Sequence, residues 1–384
     1  MKNIEETPLD LSGKNWRNRK FRYPDRTIKL ATTFSGIGAI EYALRYRLGL
    51  NCEIQFAGDI DSNCRMAYQE NYHLSESNWH TDVRLFHADQ HRSSVDLLVG
   101  GAPCQAFSIV GNKLGFDDTR GTLFREYARI ITECEPKVFI FENVQGLYQH
   151  DKGRTWEVIK NTFEEYCGYH IHFRRLNSKN YGIPQHRERL YCVGFRDDVD
   201  FKFPAPSPSV CPYCMYDFLE DYRGGKYYLP EYDTKVLTRD PSRAESLARG
   251  EVLPLFDEFI FPCHDVEDKH YLSETVARYV LAGGSKNFKT SKETDLRIAR
   301  PLLQSMHKMH RAGVDNYVSF NKDKGVNGLR RLTPRECLRL MGFRDDFRQV
   351  VSNTATYMEA GNSIVVDVLI AILKEMDITK YGSK

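Results

Sequence analysis

The sequence predicts an α/β fold in which a largely parallel sheet carries helices on both faces, followed by a smaller loop-rich domain. Between residues 27 and 203, apolar runs of strand length alternate with runs of helical spacing, as in successive βαβ units. After residue 203 this alternation stops at a segment rich in proline and serine, PAPSPSVCPYC. The apolar helical pattern GNSIVVDVLIAILKEM near the C-terminus is too hydrophobic to stand alone, so we expect it to pack on the sheet.

The individual elements follow from this alternation. Strands are predicted in TIKLATTF, EIQFAG, VDLLVGG, KVFIFEN and RLYCVGF, and the first four precede the helical runs IEYALRYRLG, SNCRMAYQENY, TLFREYARIITEC and TWEVIKNTFEEYCG. Gly49 stands where the first helix should end, and Asp61 is placed to cap the second. Farther along, Thr333-Pro334-Arg335-Glu336 has the pattern of a capping box with proline at the first helical position, which predicts a helix there.

The composition excludes several classes of protein. The 384 residues suffice for about two domains, and no run of about 18 apolar residues could cross a bilayer. The N-terminus mixes acidic and basic residues without the apolar segment of a secretory signal. Ten cysteines are scattered through predicted strands and helices, which indicates free thiols rather than a disulfide framework. We therefore expect a protein of a reducing compartment with no membrane partner.

Charge is distributed unevenly along the chain, although the formal net charge is only +2. Residues 11–30 carry seven bases and one acid, residues 211–270 seven bases and thirteen acids, and residues 271–350 sixteen bases and eight acids. The last segment favours contact with an anionic partner such as nucleic acid. The N-terminal segment has two explanations, of which a solvated flexible tail is favoured over an arm that adds phosphate contacts.

Two turns with glycine and acidic residues indicate a nucleoside-bearing cofactor. The first strand runs into Phe34-Ser35-Gly36-Ile37-Gly38-Ala39, where glycine lets a ligand approach the backbone near a helix N-terminus. A tight turn alone would explain these glycines equally well. The next strand ends in Gly58-Asp59-Ile60-Asp61, where nucleotide-binding α/β folds place an acid on ribose hydroxyls. Because the chain has no GxGxxG pattern, a single nucleoside is favoured over a dinucleotide.

Reactive groups lie at the ends of three further predicted strands, two of them after a strand and the third at the start of one, and all are expected at the edge where open α/β sheets bind ligands. Cys104, in GGAPCQ, is a nucleophile if its thiolate is stabilised, although taken alone an ordinary turn residue is the favoured explanation. Glu142, in FENV, can protonate or hold a ring nitrogen, although a lone glutamate there is commonly a helix cap. Arg187 and Arg189, in QHRER, alternate onto the same side of a strand, and ion pairing is the structural alternative.

Together and in this order, the motifs resemble those of the cytosine-5 DNA methyltransferases of bacterial or phage type. TFSGIGA is similar to the family's cofactor loop, GDID to its ribose acid, GGAPCQAFS to its nucleophile segment, FENV to its glutamate segment and QHRER to its paired arginines. RRLTPRECLRLMGF resembles its conserved helix, and AGNSIVVDVL its C-terminal cofactor segment. The resemblance covers residues 28–203 and 325–376 and implies a Rossmann-like methyltransferase sheet, leaving residues 207–324 as a target-recognition region.

The resemblance implies the roles of four catalytic residues. Cys104 would add to C6 of a cytosine flipped out of the duplex, so that C5 takes the methyl group of S-adenosyl-L-methionine. Glu142 would hold and protonate N3, Arg189 would hold O2, and Arg187 would help to order the nucleophile loop. The glycine-containing segment 105–122 would close over the flipped base.

The resemblance also implies ten cofactor-binding residues: Phe34, Ile37, Gly38, Asp59, Ile60, Asp82, Val83, Leu123, Asn362 and Ser363. The first three would line the methionine side, Asp59 would bind the ribose, Ile60 would pack on adenine and Asp82 would accept from its amino group. Two departures from the family affect this pocket. Thr32 and Thr33 stand where the family commonly has an acid and a leucine, and Ile60 replaces an aromatic residue.

The implied organisation has three parts. These are a basic N-terminal arm at 1–27, a catalytic and cofactor-binding domain at 28–203 completed by 350–384, and a target-recognition domain at 204–349. Within the last, we expect the basic half at 271–350, including 286–300 and 308–311, to face DNA phosphate. The implied enzyme is a cytoplasmic, nucleoid-associated monomer acting on double-stranded DNA. Its setting would be a restriction-modification system, a phage or an orphan enzyme, and a cognate restriction endonuclease would be a partner without a stable complex.

Three alternatives are disfavoured by the sequence. Cys211, Cys214, Cys263 and His264 have the ligand types of a structural zinc site, but the second pair is adjacent rather than spaced, so no metal is predicted. Methylation of RNA by the same fold would carry a Cys-Phe-Thr segment, which the chain lacks. A DNA-binding protein without activity would not need the intact catalytic motifs.

Overall fold

The computed structural model describes residues 5–12, 15–103, 123–206, 213–221, 265–285, 288–319, 323–326 and 328–384. The strands, in chain order, are β1 (Leu9–Asp10), β2 (Ile28–Thr33), β3 (Cys52–Gly58), β4 (Trp79–His80), β5 (Leu97–Gly100), β6 (Val138–Val144), β7 (His170–Asn177), β8 (Glu188–Phe195), β9 (Phe203–Pro204), β10 (Gly284–Ser285), β11 (Phe288–Lys289), β12 (Tyr317–Val318) and β13 (Arg330–Arg331). The α-helices are α1 (Ala39–Tyr42), α2 (Ser62–Tyr72), α3 (Leu123–Cys134), α4 (Gly146–Gln149), α5 (Arg154–Asn161), α6 (Glu274–Leu281), α7 (Pro334–Arg339), α8 (Asn353–Asn362) and α9 (Val366–Met376). Two of them, α1 and α5, continue with π-type hydrogen bonding through Ala43–Arg47 and Thr162–Tyr166.

Seven of these strands form the central sheet, in the order β4-β3-β2-β5-β6-β8-β7. Strands β2 to β6 pair in parallel, as the alternation of strands and helices predicts. Strand β8 is antiparallel to both of its neighbours, β6 and β7. The carboxyl ends of β2, β3, β5 and β6 therefore share one edge, which is joined by the amino-terminal end of β8.

Both faces of the sheet are covered, because alternate side chains of each strand enter different hydrophobic clusters. Val138 and Ile140 of β6 belong to the cluster that includes α1, α2 and α9. Phe139 and Phe141 belong to the cluster that includes α3 and α5. The predicted α/β sheet with helices on both faces is confirmed, and so is the packing of the apolar C-terminal helix on the sheet.

Local signals in the sequence are also confirmed. The Asp61 carboxylate accepts the Asn63 amide at 2.8 Å and caps α2. Gly49 follows the first helix with φ +63°, a left-handed conformation that favours glycine. At the start of α7, Thr333 and Glu336 form the reciprocal bonds of a capping box.

The N-terminal segment is not the solvated tail that the sequence favours. In its described part, β1 pairs in parallel with β9, and Trp16 is buried against the ring of Tyr181. Arg19 forms ion pairs with Asp10 and with Glu375 of α9, the latter at 2.8 Å. Burial of a large aromatic side chain stabilises this attachment. At least one basic residue of the N-terminal segment, Arg19, therefore pairs with acidic residues of the protein itself.

The region between the sheet and the C-terminus contributes to two clusters. Residues 332–347 supply buried side chains to the same cluster as the sheet. A separate small cluster consists of Leu272, Ala277, Val280, Tyr317 and Leu329. The division into domains at 204–349 stays a prediction.

One helical stretch of the described chain, Asn353–Met376, has the length and composition of a membrane span. It is broken into α8 and α9 at residues 363–365. In addition, 83% of its most apolar window is buried inside the protein. A mostly buried core helix meets the same criterion of length and composition, and the packing of this stretch is that of a core helix.

Candidate active site

The turn between β2 and α1 contains several residues in the left-handed backbone conformation. Phe34, Gly36 and Gly38 all have positive φ, of 53°, 53° and 77°. The Tyr72 hydroxyl lies 2.7 Å from the Gly38 carbonyl oxygen and 3.1 Å from that of Ile37. A Cβ atom at Gly38 would come within 2.2 Å of the Tyr72 ring. Glycine is therefore required here both by the backbone conformation and by the close approach of the ring.

Asp59 joins this turn to the end of β3. Its carboxylate accepts the Gly36 amide at 3.0 Å and the Asp61 amide at 3.0 Å. Burial raises the pKa of Asp59, while these amide hydrogen bonds oppose the rise. The neighbouring Ile60 is 71% exposed, which is unusual for a large aliphatic side chain. An acid and an exposed apolar surface therefore lie side by side, as a nucleoside-binding edge requires.

Asp82 lies in an exposed loop after β4 and is already paired. Arg84 contacts its carboxylate through two nitrogens, with Nη2 2.6 Å from Oδ2 and Nε 2.9 Å from Oδ1. These hydrogen bonds lower the pKa of Asp82 to about 2. The adjacent Val83 is buried, and Leu123 packs at the start of α3 against the same cluster as Val83. An adenine amino group at Asp82 would share the carboxylate with Arg84.

Arg187 binds the turn between α8 and α9 rather than standing free. The side chain is 3% exposed, and Nη2 donates to the carbonyl oxygens of Gly361 and Ser363, each at 2.9 Å. Nη1 donates to the Leu302 carbonyl oxygen at 2.8 Å. Burial, together with nearby Arg189, lowers the pKa of Arg187 to about 9. The turn that carries Asn362, exposed, and Ser363, buried, is thus fixed to the start of β8.

Glu142, near the end of β6, faces both arginines. The Arg189 Nε atom lies 3.4 Å from Glu142 Oε1, and the two side chains are 16% and 13% exposed. Burial raises the pKa of Glu142, and the charges of Arg189 and Arg187 oppose this rise. A carboxyl group with a raised pKa retains a proton to donate at higher pH than an exposed glutamate does.

The turn that leads to Cys104 is attached to β6 beside this glutamate. A Cβ atom on Gly101 would lie 3.0 Å from the Glu142 carbonyl oxygen and 3.3 Å from Oε2. The Asn143 side chain donates to the Ala102 carbonyl oxygen at 2.9 Å. Cys104 itself and the segment 105–122 lie outside the described residues, as do Cys211, Cys263 and His264. The roles of these residues stay predictions.

Three polar residues at this edge were not found by the sequence interpretation. Asn143 directly follows Glu142 in the FENV segment, and this adjacency to a candidate catalytic residue could have identified it. Glu41 on α1 is fully buried, and Glu359 on α8 is 5% exposed with a pKa raised to about 7. Burial of Glu359 is the main cause of that rise, followed by the charges of Asp61 and Asp59. In sequence, both glutamates look like ordinary residues of amphipathic helices.

Comparison with known proteins assigns the chain to a family. The model of the C-5 cytosine-specific DNA methylase family matches residues 28–377. Type II methyltransferase M.HpaII of Haemophilus parainfluenzae is 34% identical, with 91% of this chain and 89% of that protein covered. M.HhaI of Haemophilus parahaemolyticus is 31% identical over 89% of this chain and 92% of its own length. Orphan methyltransferase M.SPRI of Bacillus phage SPR is 31% identical, with 91% of this chain and 97% of that protein covered.

Solved structures share the fold at lower identity. The Dnmt2 methyltransferase of S. pombe superposes with a TM-score of 0.62 at 17% identity, covering 90% of this chain and 97% of that one. The methyltransferase EhMeth of Entamoeba histolytica gives a TM-score of 0.62 at 15% identity, covering 92% and 98%. These two likenesses concern the fold alone. The match of the family model over most of the chain, and relatives above 30% identity over nearly the whole length, show that the chain belongs to the C-5 cytosine-specific DNA methylase family and is a DNA (cytosine-5-)-methyltransferase.

Proposed function

We propose that this enzyme methylates C5 of a cytosine flipped out of duplex DNA, through covalent addition of Cys104 to C6 of the base. The observation that carries the proposal is the placement of Glu142. Its carboxyl group has a raised pKa, faces Arg189 and contacts the Gly101 turn that leads to Cys104. An acid able to donate a proton therefore lies beside Gly101, which precedes the candidate nucleophile Cys104 by three residues in the sequence.

The reaction follows from these groups. The Cys104 thiolate forms a bond to C6, and the electron pair of the C5–C6 bond moves onto C5 while Glu142 donates a proton to N3. Arg189 neutralises charge near Glu142 and would hold the O2 atom of the base. When bound, S-adenosyl-L-methionine supplies an electrophilic methyl group to C5. A solvent base then removes the C5 proton, the electron pair left behind re-forms the C5–C6 double bond and expels the Cys104 sulfur as thiolate, and N3 returns its proton to Glu142.

The residues at the cofactor edge fit a cationic, nucleoside-bearing cofactor. Asp59 offers carboxylate oxygens to ribose hydroxyls, and the exposed Ile60 offers an apolar surface to a base. Glu359 adds a buried carboxyl group whose Oε1 atom has no partner among the described residues. Asn362 and Ser363 would complete the pocket from the turn that Arg187 holds. S-adenosyl-L-methionine carries a nucleoside together with sulfonium and ammonium charges, which match this set of groups.

We assign DNA contact to the exposed lysines of segment 271–350. Lys289, Lys292 and Lys308 are exposed, as phosphate contact requires. Two arginines of the same segment are not available for it. Arg330 and Arg339 are buried in ion pairs, Arg330 with Glu336 at 2.8 Å and Arg339 with an aspartate at 2.6 Å.

The names of these relatives indicate the biological setting that we propose. Two are called type II methyltransferases, and one is called an orphan methyltransferase of a phage. We propose the same kind of setting here, with a monomeric enzyme acting in the cytoplasm on nucleoid DNA. A cognate endonuclease would act on the same recognition sequence without forming a stable complex.

The test is transfer of labelled methyl from S-adenosyl-L-methionine to duplex DNA and, in parallel, to transfer RNA. We expect label at C5 of cytosine in DNA, no transfer with Cys104→Ala, and a rate lowered about 100-fold or more with Glu142→Gln. Label in RNA alone would contradict DNA as substrate. Full activity of Cys104→Ala would contradict the covalent mechanism.

A further inference from the structure

Glu41 is a fully buried acid that lies next to the two loops proposed to bind the cofactor, residues 34–39 and 58–61, which we call the cofactor loops. None of the roles described above uses Glu41. Its Oε1 atom accepts the Thr32 hydroxyl at 2.9 Å and the Tyr68 hydroxyl at 2.7 Å. Its Oε2 atom is buried and meets no donor among the described residues. Burial raises the pKa of Glu41, and the hydrogen bonds from Tyr68 and Thr32 oppose that rise. Burial of an acid costs stability, and here only one of the two carboxylate oxygens has hydrogen-bond donors among the described residues.

The hydrogen bonds continue from Glu41 to both loops. Ser35 Oγ lies 2.7 Å from Thr32 Oγ1, and the Gly58 amide donates to Ser35 Oγ at 2.8 Å. Either hydroxyl can donate in the bond between Thr32 and Ser35. When Glu41 is ionised it accepts the Thr32 proton, so Thr32 accepts from Ser35 while Ser35 accepts the Gly58 amide. A continuous chain of hydrogen bonds therefore joins the Gly58 amide, Ser35, Thr32 and Glu41.

This relay positions the residues proposed to bind the cofactor. Ser35 directly follows Phe34, and Gly58 directly precedes Asp59. The Ser35 amide also donates to the Gly58 carbonyl oxygen at 2.9 Å, and the Gly36 amide donates to the Asp59 carboxylate, so three hydrogen bonds among the described residues join the two loops. A change in Glu41 would therefore reach both loops through the side chains of Thr32 and Ser35.

The residue at position 32 is the link between Glu41 and Ser35 in this chain of hydrogen bonds. The resembled family commonly has an acid there, whereas this chain has Thr32, which bonds to an acid nine residues later on α1. We propose that Glu41 is a positioning residue that sets the geometry of both cofactor loops through Thr32 and Ser35. The inference rests on the proposed function of these loops in binding S-adenosyl-L-methionine.

The test measures binding of S-adenosyl-L-methionine and of S-adenosylhomocysteine to the full chain by calorimetry. Glu41→Gln keeps an oxygen that accepts from Thr32 and Tyr68, so we expect cofactor affinity within about 3-fold of wild type. Glu41→Ala removes the acceptor, and we expect affinity to fall about 10- to 100-fold while DNA affinity is unchanged. If Glu41→Gln loses as much affinity as Glu41→Ala, the positioning role is wrong and the charge itself is needed.

A compensating exchange separates positioning from general stability. In Thr32→Asp/Glu41→Ala the carboxylate returns to position 32, and we expect at least a 10-fold recovery of affinity relative to Glu41→Ala. Thr32→Asp alone places two buried acids together and should weaken binding. Failure of the double variant to recover affinity would overturn the proposal. If Glu41→Ala does not fold, the double variant and Glu41→Gln carry the test.

The matched control is Glu336→Ala. Glu336 is equally buried, but its partners are Arg330 and Thr333 rather than the two loops. We expect it to lower the unfolding temperature without lowering cofactor affinity, and an equal loss of affinity would attribute the Glu41 effect to stability alone. Failure of the wild type to bind either nucleoside would instead reject the proposed function, so the two failures are distinguishable.

Discussion

Exchange of Glu359 for glutamine should stabilise the protein by an amount that increases with pH. Glu359 is 5% exposed on α8, and its Oε1 atom has no partner among the described residues. Burial, and then the charges of Asp61 and Asp59, raise its pKa from the ordinary value of 4.5 to about 7. The folded protein therefore holds the Glu359 proton more tightly than the unfolded chain does.

The sign and size of the effect follow from this difference in pKa. The stabilising contribution of protonated Glu359 is complete below about pH 4.5 and is lost as pH rises through about 7. Each tenfold difference in proton affinity between the folded and unfolded chain corresponds to about 1.4 kcal/mol, so the whole effect is on the order of 3 kcal/mol. Glutamine has no proton to lose. We therefore expect the free energy of unfolding of the variant, relative to wild type, to increase by about 2 to 3 kcal/mol between about pH 5 and pH 8.5.

The assay is urea unfolding of the cofactor-free chain at four pH values across this range. Glu157→Gln is the matched control, because Glu157 is exposed on α5 and its exchange should change stability by less than about 0.5 kcal/mol at every pH. A difference between Glu359→Gln and wild type that does not vary with pH would refute the reasoning, whatever its size.

Three further predictions concern the active edge and the DNA surface. Asn143→Ala removes the bond to the Ala102 carbonyl oxygen, so the single-turnover methylation rate should fall about 10-fold with unchanged cofactor affinity; an unchanged rate would contradict this positioning. Ile60→Ala removes a side chain that is 71% exposed, so calorimetry should show cofactor affinity lowered about 5-fold and stability unchanged within about 0.5 kcal/mol. Lys289→Glu with Lys292→Glu should weaken DNA binding and reduce the slope of log K against log salt by about 2, and an unchanged slope would remove these lysines from the DNA surface.

Periodicity in the sequence was sufficient for much of the fold. Strands β2, β3, β5, β6 and β8 lie where alternating apolar runs predict them, and α2 has the predicted bounds. Strand β7 was missed because HIHFRRLN is half polar and lies at the edge of the sheet. The antiparallel position of β8 between β6 and β7 was not predicted either, since strand order depends on long-range pairing that local periodicity does not encode.

The candidate site was predicted as a set of motifs, but its internal bonds were not. The order of the motifs identified Glu142, Arg187 and Asp59, and the structure brings Glu142 and the two arginines together. The partners of Arg187 are backbone carbonyl oxygens, which the sequence does not distinguish from one another. Glu41 was overlooked for a related reason, because its importance depends on hydroxyl groups brought beneath the loops only by folding.

The central claim, covalent catalysis by Cys104 on cytosine in DNA, is tested most directly with duplex DNA that contains 5-fluorocytosine at the methylated position. Fluorine at C5 cannot leave as a proton does, so the bond between the Cys104 sulfur and C6 should persist after methyl transfer. The account predicts a denaturation-resistant protein–DNA adduct that forms only when S-adenosyl-L-methionine is present, with mass spectrometry locating the DNA on the peptide that contains Cys104. Methyl transfer to ordinary duplex DNA without any such adduct, or an adduct that persists in Cys104→Ala, would contradict it.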